Sequence, residues 1–450
     1  MKLKSRPLFK ISEIQILIWG FLLIIMVGAI LLCLPISSQN HKYTNFIDSL
    51  FVATSATCVT GLTTVDTGTH WNYFGKTVIL ILIQVGGLGF MAFSTLIALI
   101  LGRKITLRER LLIHESLNSF NIQGLVKMSK YILLFTFLVE AVGAVILCSQ
   151  FVPQFGVYRG LFYSIFHSVS AFCNAGIDLV GEGRSLMPYY DNFTIIFTIS
   201  ILIIIGGLGF YVWQEIYNLS FKYTKRLSFH SKVCITMTII LLISGTILLL
   251  LFEFDNPVTI KNMNLQNKLL SSFFFSTSLR TAGFNSISMS DISENSKLLS
   301  IVFMFIGGAP GSTAGGIKTT TAALIIMTAV SIIKGRGETE IYKRTIKKDL
   351  VYRAVAIFVV YIICILTFCF ILGVSEKNQS LESIIFECVS AFGTVGLSLG
   401  ITSELSSIGK IIIIVGMFFG RLGSLTIVLS MVNRKIPKSI KYPQGKMLIG

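Results

Sequence analysis

The stretch Phe386-Glu-Cys-Val-Ser-Ala-Phe-Gly-Thr-Val-Gly396 decides the reading of this chain, because three other stretches repeat its plan. They are Phe51-Val-Ala-Thr-Ser-Ala-Thr-Cys-Val-Thr-Gly61, Phe166-His-Ser-Val-Ser-Ala-Phe-Cys-Asn-Ala-Gly176 and Phe273-Phe-Phe-Ser-Thr-Ser-Leu-Arg-Thr-Ala-Gly283. In each, a Phe stands ten positions before the closing Gly, and a Ser or Thr stands six before it. Successive glycines lie 115, 107 and 113 residues apart, so the chain reads as four versions of one unit of a little over a hundred residues. The units are placed at 1–103, 104–222, 223–346 and 347–450.

Composition sets the solvent. Charged residues make up 13% of the chain against roughly 25% in soluble domains, and apolar residues 53%, so most of the chain faces lipid or packs within a membrane. Eight apolar runs follow, near 14–34, 78–101, 131–151, 193–213, 232–252, 298–333, 351–373 and 409–431, most of them long enough for the ~20 residues of a spanning helix. Each Phe-to-Gly stretch falls between the first and second run of its unit. The predicted fold is therefore an all-α polytopic membrane protein of four helix, pore hairpin, helix repeats, with pseudo-fourfold symmetry about a central pore. Ile14–Leu34 is read as the first span and not as a cleaved leader, since it is too long for an h-region and lacks a clear small-residue cleavage site.

The segments 1–13, 102–130, 219–232, 334–353 and 433–450 hold 26 of the 38 Lys and Arg residues, with only six carboxylates. By the positive-inside rule these joints and both termini are cytoplasmic, and the four hairpins enter from outside. The net charge of +17 is then an expression of topology and of contact with anionic lipid, and nucleic acid is not an expected partner, because the charge is divided among five joints. The eight cysteines contain no C-x-x-C pair and indicate neither a disulfide framework nor a zinc site.

A dehydrated monovalent cation needs its water replaced by oxygen ligands, and loops of backbone carbonyls can do this. Carbonyls turn toward an axis only where some residue takes unusual dihedrals, which Gly tolerates. The tripeptides Val59-Thr60-Gly61, Asn174-Ala175-Gly176, Thr281-Ala282-Gly283 and Thr394-Val395-Gly396 supply one such place per unit, each at the carboxyl end of a short helix whose partial negative charge faces the ion. One copy alone reads as a helix-ending Gly. Four copies in register, each between paired spans, read as a filter, since irregular backbone at membrane depth survives only where protein buries it or where it lines an aqueous path.

The second run of each unit carries its own mark: Gly86-Gly87-Leu88-Gly89, Gly206-Gly207-Leu208-Gly209, Gly307-Gly308-Ala309-Pro310 and Gly420-Arg421-Leu422-Gly423. Close packing through small residues explains part of it. The third copy continues as Gly311-Ser-Thr-Ala-Gly315-Gly316-Ile-Lys318 inside an apolar run that would rise about 54 Å as one helix, so the helix must break there and its loop, 307–318, could obstruct a path below the filter. That loop imitates a phosphate-binding motif, but Ile317 separates the last Gly from Lys318 and no strand precedes it. In the fourth copy Arg421 replaces a Gly near the middle of its run, either as one half of a buried ion pair or as a charge that reaches the carbonyls of the broken loop and opposes cation passage. Asp48, Glu387 and Arg280 lie in or beside the hairpins, where they pair with one another, face the outer vestibule or, equally, fill satisfied structural roles. His167 reads as a packed residue and not a metal ligand, because no second ligand has a usable spacing. No nucleophile and base are arranged for catalysis, so an enzyme is not expected, and the like orientation of the four units argues against a carrier of two inverted halves.

With these residues in view, the chain resembles the Trk/Ktr/HKT superfamily of potassium and sodium transporters over essentially its whole length, and most of all the Ktr-type pore subunit. The resemblance implies a bacterial cell-membrane protein that takes up potassium, with sodium as an activator and no cofactor. It also implies a homodimer whose protomers each hold a pore, seated on a cytoplasmic ring of nucleotide-binding regulatory subunits. It makes Gly61, Gly176, Gly283 and Gly396 the filter glycines, Gly307, Gly308, Pro310, Gly311, Gly315 and Gly316 the gate loop, and Arg421 the residue that steadies the gate. Sodium-selective plant relatives have Ser at the first of these glycines, where this chain has Gly61. Asn174 and Cys58 make the filter chemically uneven, which keeps a sodium-permeable or sodium-potassium coupled transporter as the alternative.

Overall fold

The computed structural model describes residues 13–89 and 125–423. The far ends of the runs 78–101 and 409–431, and all or most of the basic joints 1–13, 102–130 and 433–450, lie outside the described residues.

Four helices among the described residues are long and apolar enough to cross a membrane: Glu13–Cys33, Leu125–Phe155, Phe229–Glu253 and Lys348–Ser375. Leu134, Leu138 and Val145 on the second and Phe370 and Val374 on the fourth remain exposed, and apolar surface of that extent is stable only against lipid or a partner. Each long helix is followed by a short one: Phe46–Cys58, Val157–Phe172, Leu265–Ser278 and Leu381–Gly393. Asn45, Asn264 and Ser380 cap three of them by accepting from the backbone N–H groups of Ile47, Asn267 and Ser383. Some of their buried hydroxyls are satisfied within the helix, as where Thr54 donates to Leu50 O at 2.7 Å and Ser164 to Gly160 O at 2.8 Å, and others bond to the long helix beside them, as Ser168 to Glu140 O at 2.6 Å. The long helices approach closely at small residues, so a Cβ on Gly143 would stand 2.6 Å from Ser168 Oγ.

The second helix of each unit departs from expectation. Tyr73–Leu88, Phe193–Leu208 and Ser407–Leu422 have 16 residues each and Glu294–Phe305 has 12. Sixteen residues rise only about 24 Å, less than the ~30 Å of a hydrocarbon core. The last glycines of the motifs, which packing explains only in part, end these helices: Gly89, Gly209 and Gly423 hold φ of 79°, 95° and 85°, a conformation that favours Gly. Beyond Gly209 the chain resumes as Phe210–Ser220, bent by 99° from the helix before it. The third unit breaks as its length demands, after Phe305, and returns to helix at Thr319–Ile333. An antiparallel hairpin follows, pairing Glu340 with Thr345 and Ile341 with Arg344.

The apolar interior falls into two main clusters, one built mostly by the first two units and one by the last two. They are interlocked. Phe51 of the first unit belongs to the second cluster, and Phe274 of the third unit belongs to the first.

Candidate functional site

The carboxyl ends of the four short helices converge. Ala175 O stands 2.6 Å from where a Cβ on Gly61 would be, and Val395 O stands 2.6 Å from the same point on Gly283. A Cβ on Gly176 would run into Ala282 O, and one on Gly396 into Thr60 O. Each glycine therefore rests against the carbonyl just before the glycine of the next unit, in the closed order 61, 176, 283, 396 and back to 61. Four backbone oxygens, of Thr60, Ala175, Ala282 and Val395, are brought to one ring at a separation that only Gly permits.

The backbone of the ring follows one rule. The residue two before each glycine is in the left-handed region: Val59 at φ 56°, Asn174 at 59°, Thr281 at 68° and Thr394 at 50°. For β-branched Val59, Thr281 and Thr394 this is an uncommon and strained state that the surroundings must impose. The glycines are left-handed as well, at φ 99°, 66°, 79° and 90°. In three units the residue before the glycine donates its N–H to the carbonyl five positions back: Thr60 to Ser55, Ala175 to Ser170 and Val395 to Ser390, each at 2.8 Å. The Ser hydroxyl then fixes the strand beyond, accepting from Gly61 N at 3.0 Å and from Gly396 N at 3.1 Å, and donating to Ile177 O at 2.7 Å.

The third unit corrects the sequence alignment by one residue. Ala282 N donates only four positions back, to Ser278 O at 3.0 Å. Ser278, not Thr277, holds the strand through Phe284 O, and Phe274, not Phe273, is the fully buried ring. One residue fewer in the turn accounts for all three differences.

On the side of the ring where the return loops lie is a cavity of about 320 Å³, lined by the four glycines together with Asp66, Asp178, Asn285, Ser398 and Thr402. Asp66 ties two of the return loops by accepting from Gly183 N at 2.8 Å and from Thr69 N at 2.8 Å. Burial pushes the Asp178 carboxyl, in the loop beyond the helices, up to about 6. His167 donates from Nδ1 to Tyr163 O at 2.8 Å and accepts at Nε2 from Leu179 N at 3.3 Å, so it holds a return loop in place.

On the side away from the cavity, Gly86, Gly206 and Gly420 of the second helices sit directly on the carbonyls of Thr57, Phe172 and Phe392 near the ends of the short helices, so close that no Cβ fits. In the third unit the broken segment takes this place. Its neck is closed by Gly307 N to Ile317 O at 2.9 Å and Thr319 N to Gly308 O at 3.0 Å, with Gly311 and Gly316 at φ 67° and 65°. Pro310 lies against Gly209, and the loop docks there on the bend of the second unit: Ala309 N to Gly207 O at 2.9 Å, Phe210 N to Gly311 O at 2.9 Å and Thr313 N to Gly206 O at 3.3 Å. Gly315 presses on the Thr394 side chain. Lys318 Nζ donates to Ala314 O at 2.6 Å, which turns its amine inward to the loop.

Arg421 is not mid-helix: it is the next-to-last residue of Ser407–Leu422, at a carboxyl end where a cation is favoured. Its guanidinium donates to Thr313 O in the loop and to Gly86 O and, at 3.3 Å, Gly87 O in the first unit. All are backbone carbonyls, so among the described residues Arg421 has no ion-pair partner. Asp48, Glu387 and Arg280 do not pair with one another either. Asp48 meets Lys410 Nζ at 2.8 Å, Glu387 accepts from Ser398 at 2.7 Å and from Thr402, and Arg280 donates to Thr238 Oγ1 at 3.2 Å. The partners of Asp48 and Arg280 lie on distant elements, 362 and 42 residues away, whereas those of Glu387 follow it in the same hairpin. Sequence reasoning also passed over Glu140, a buried carboxylate within Leu125–Phe155 that accepts from Gln84 Nε2 at 3.1 Å and Cys173 Sγ at 3.8 Å. An acid alone in a long apolar run is the signal that marks it.

A family model described as TrkH, cation transport protein, matches residues 10–442. The potassium/sodium uptake protein NtpJ of Enterococcus hirae is 41% identical to this chain, covering all of it and 99% of its own length. The Ktr system potassium uptake protein B of Bacillus subtilis is 42% identical over 97% of this chain and 96% of its own. The crystal structure of the potassium transporter TrkH from Vibrio parahaemolyticus shares the fold, with a TM-score of 0.72 at 18% identity over 95% of this chain and 86% of that one.

Proposed function

The chain belongs to the TrkH family of cation transport proteins, and on that premise we propose that it is the ion-translocating subunit of a potassium uptake system. One observation carries the reading: four units bring one backbone carbonyl each to a closed ring that only glycine allows, beneath a cavity that has two carboxylates in its lining. Such a ring replaces the water of a monovalent cation with no side-chain chemistry, so the protein is not an enzyme and needs no cofactor.

In this reading Val59-Thr60-Gly61, Asn174-Ala175-Gly176, Thr281-Ala282-Gly283 and Thr394-Val395-Gly396 form the filter, and the units 1–103, 104–222, 223–346 and 347–450 surround it. The loop 307–318 is the gate, held across the path by Arg421. The basic joints and both termini are cytoplasmic, the protein is a homodimer in the cell membrane, and a cytoplasmic nucleotide-binding ring acts on it through those joints. Sodium serves as activator. A second reading, a sodium-permeable or sodium-potassium coupled transporter, is favoured by the similarity to a potassium/sodium uptake protein and by the uneven filter residues Cys58 and Asn174.

The test is uptake of potassium and of sodium by the reconstituted protein in liposomes, each alone and together. Potassium uptake that exceeds sodium uptake supports the first reading. Comparable movement of both ions supports the second, and movement of neither overturns the assignment of the ring as a filter.

A further inference from the structure

Within the intramembrane loop, Thr313 is tied at every polar atom. Its N–H donates to Gly206 O at 3.3 Å, its carbonyl accepts from Arg421, and its hydroxyl donates to Phe172 O at 3.2 Å. The fourth tie reaches the ring. With its amide nitrogen turned to the acceptors around it, Asn174 stands 3.2 Å from Thr313 Oγ1, 3.2 Å from Phe172 O and 3.3 Å from Ile203 O. The result is a continuous chain, from Asn174 amide to Thr313 hydroxyl to Phe172 carbonyl, with both side chains buried.

Asn174 is also the left-handed residue of the second ring strand. Its counterparts differ. Val59 has no polar side-chain atom, and the hydroxyls of Thr281 and Thr394 have no hydrogen-bond partner. Thr394, two units away around the ring, is touched by the loop only through packing with Gly315. The loop is thus clamped between the feet of two ring strands, and only at Asn174 does a hydrogen bond join side chain to loop. The left-handed φ of 59° is common to all four strands and does not depend on the side chain, but at Asn174 alone the side-chain bond ties that strand, and with it the carbonyls of Asn174 and Ala175, to the loop.

We propose that Thr313 and Asn174 form a latch that couples the position of the loop to the shape of the second filter strand, so that ion selectivity depends on the loop being in place. This rests on the reading of the ring as filter and the loop as gate. Asn174 and Thr313 are positioning residues: when the loop withdraws, the Asn174 amide loses the one of its three acceptors that lies in the loop and keeps those of Phe172 and Ile203, and the strand beside it is less tightly held.

The experiment measures potassium and sodium uptake per folded molecule in liposomes for Thr313→Val, Thr313→Ser, Asn174→Gly and the double variant Thr313→Val with Asn174→Gly. Gly keeps the left-handed backbone without the amide, so Asn174→Gly tests the latch even if Thr313→Val fails to fold. The latch predicts that Thr313→Val raises potassium flux by about fivefold, the population shift one ordinary hydrogen bond supplies, and lowers the potassium-to-sodium ratio. Thr313→Ser restores both values, Asn174→Gly lowers the ratio, and the double variant lowers it no further than the single ones. A rise in flux with an unchanged ratio in Thr313→Val and Asn174→Gly overturns the coupling and leaves the gate reading standing. Unchanged flux and ratio in those variants, while deletion of residues 308–315 still raises flux, overturn the latch alone. If that deletion raises no flux at normal folded yield, the gate reading fails and the latch with it.

Discussion

Gly61 is under two constraints at once: a φ of 99°, and a carbonyl 2.6 Å from where any Cβ would stand. Gly61→Ser therefore displaces Ala175 O or the strand that carries it. The expected outcome is a fall of about tenfold in potassium over sodium discrimination, roughly 1.4 kcal/mol between the two ions, measured as relative uptake at equal expression. An unchanged ratio would remove Gly61 from the filter. Arg421 calls for a different argument, because its partners are carbonyls and, among the described residues, its removal leaves no buried carboxylate unpaired. Charge-assisted hydrogen bonds of this kind contribute about 1.5–3 kcal/mol each, so Arg421→Ala is expected to raise flux per folded molecule at least about tenfold, with Arg421→Lys intermediate because an ammonium lacks the planar fork of donors. A fall in both variants at normal folded yield would show that the guanidinium supports the conducting state instead. At this scale the identity of the glycines and of Arg421 was legible, since four copies in register are visible in one chain. Their partners were not: Gly86 lies 335 residues from Arg421, and the shift by one residue in the third unit becomes visible only through Ser278 and Phe274.

Among the elements, apolar run length predicted the four long helices but not the second helices. Runs such as 193–213 read as single spans because hydropathy does not register a change of direction, and Gly209 turns the chain by 99° without any loss of apolar character. That bend creates the dock for the intramembrane loop, whose backbone bonds with Gly206, Gly207 and Phe210 replace those of the missing helix. The loop is held by backbone bonds to the second unit and by Arg421 from the fourth, and in the proposed reading it obstructs the path only while it stays in place. Deleting residues 308–315 is expected to raise maximal potassium flux several-fold and to weaken its dependence on a regulatory partner, as measured by uptake with and without that partner. A packing element of no gating role would instead lower the folded yield and leave flux per folded molecule unchanged.

For the whole molecule, spacing foretold that four units would meet but not how the first would be joined to the last. Beside the Arg421 bonds to Gly86 and Gly87, one joint is an ion pair: Asp48, at the start of the first short helix, meets Lys410, in the first turn of Ser407–Leu422, at 2.8 Å, with both side chains about one-sixth exposed. Nothing in the sequence links residues 362 positions apart, and the link forms because the interlocked cores bring Phe51 of the first unit into the cluster of the last two. The position of Asp48 also suits the amino end of its helix, where a negative charge is favoured, so removing Lys410 leaves that charge partly satisfied while removing Asp48 leaves Lys410 without a partner. Because the pair is neither fully exposed nor dry, its coupling should be about 1 kcal/mol, between the values of surface and buried pairs. The expected result is that Asp48→Asn and Lys410→Met each lower the melting temperature of the detergent-solubilised protein, and that the double variant is less destabilised than the sum of the two. Strict additivity would show that the ion pair adds nothing to the closure made by apolar packing and by the Arg421 bonds. A double variant with normal stability but altered potassium-to-sodium ratio would show, instead, that the joint between first and last units bears on the shape of the ring.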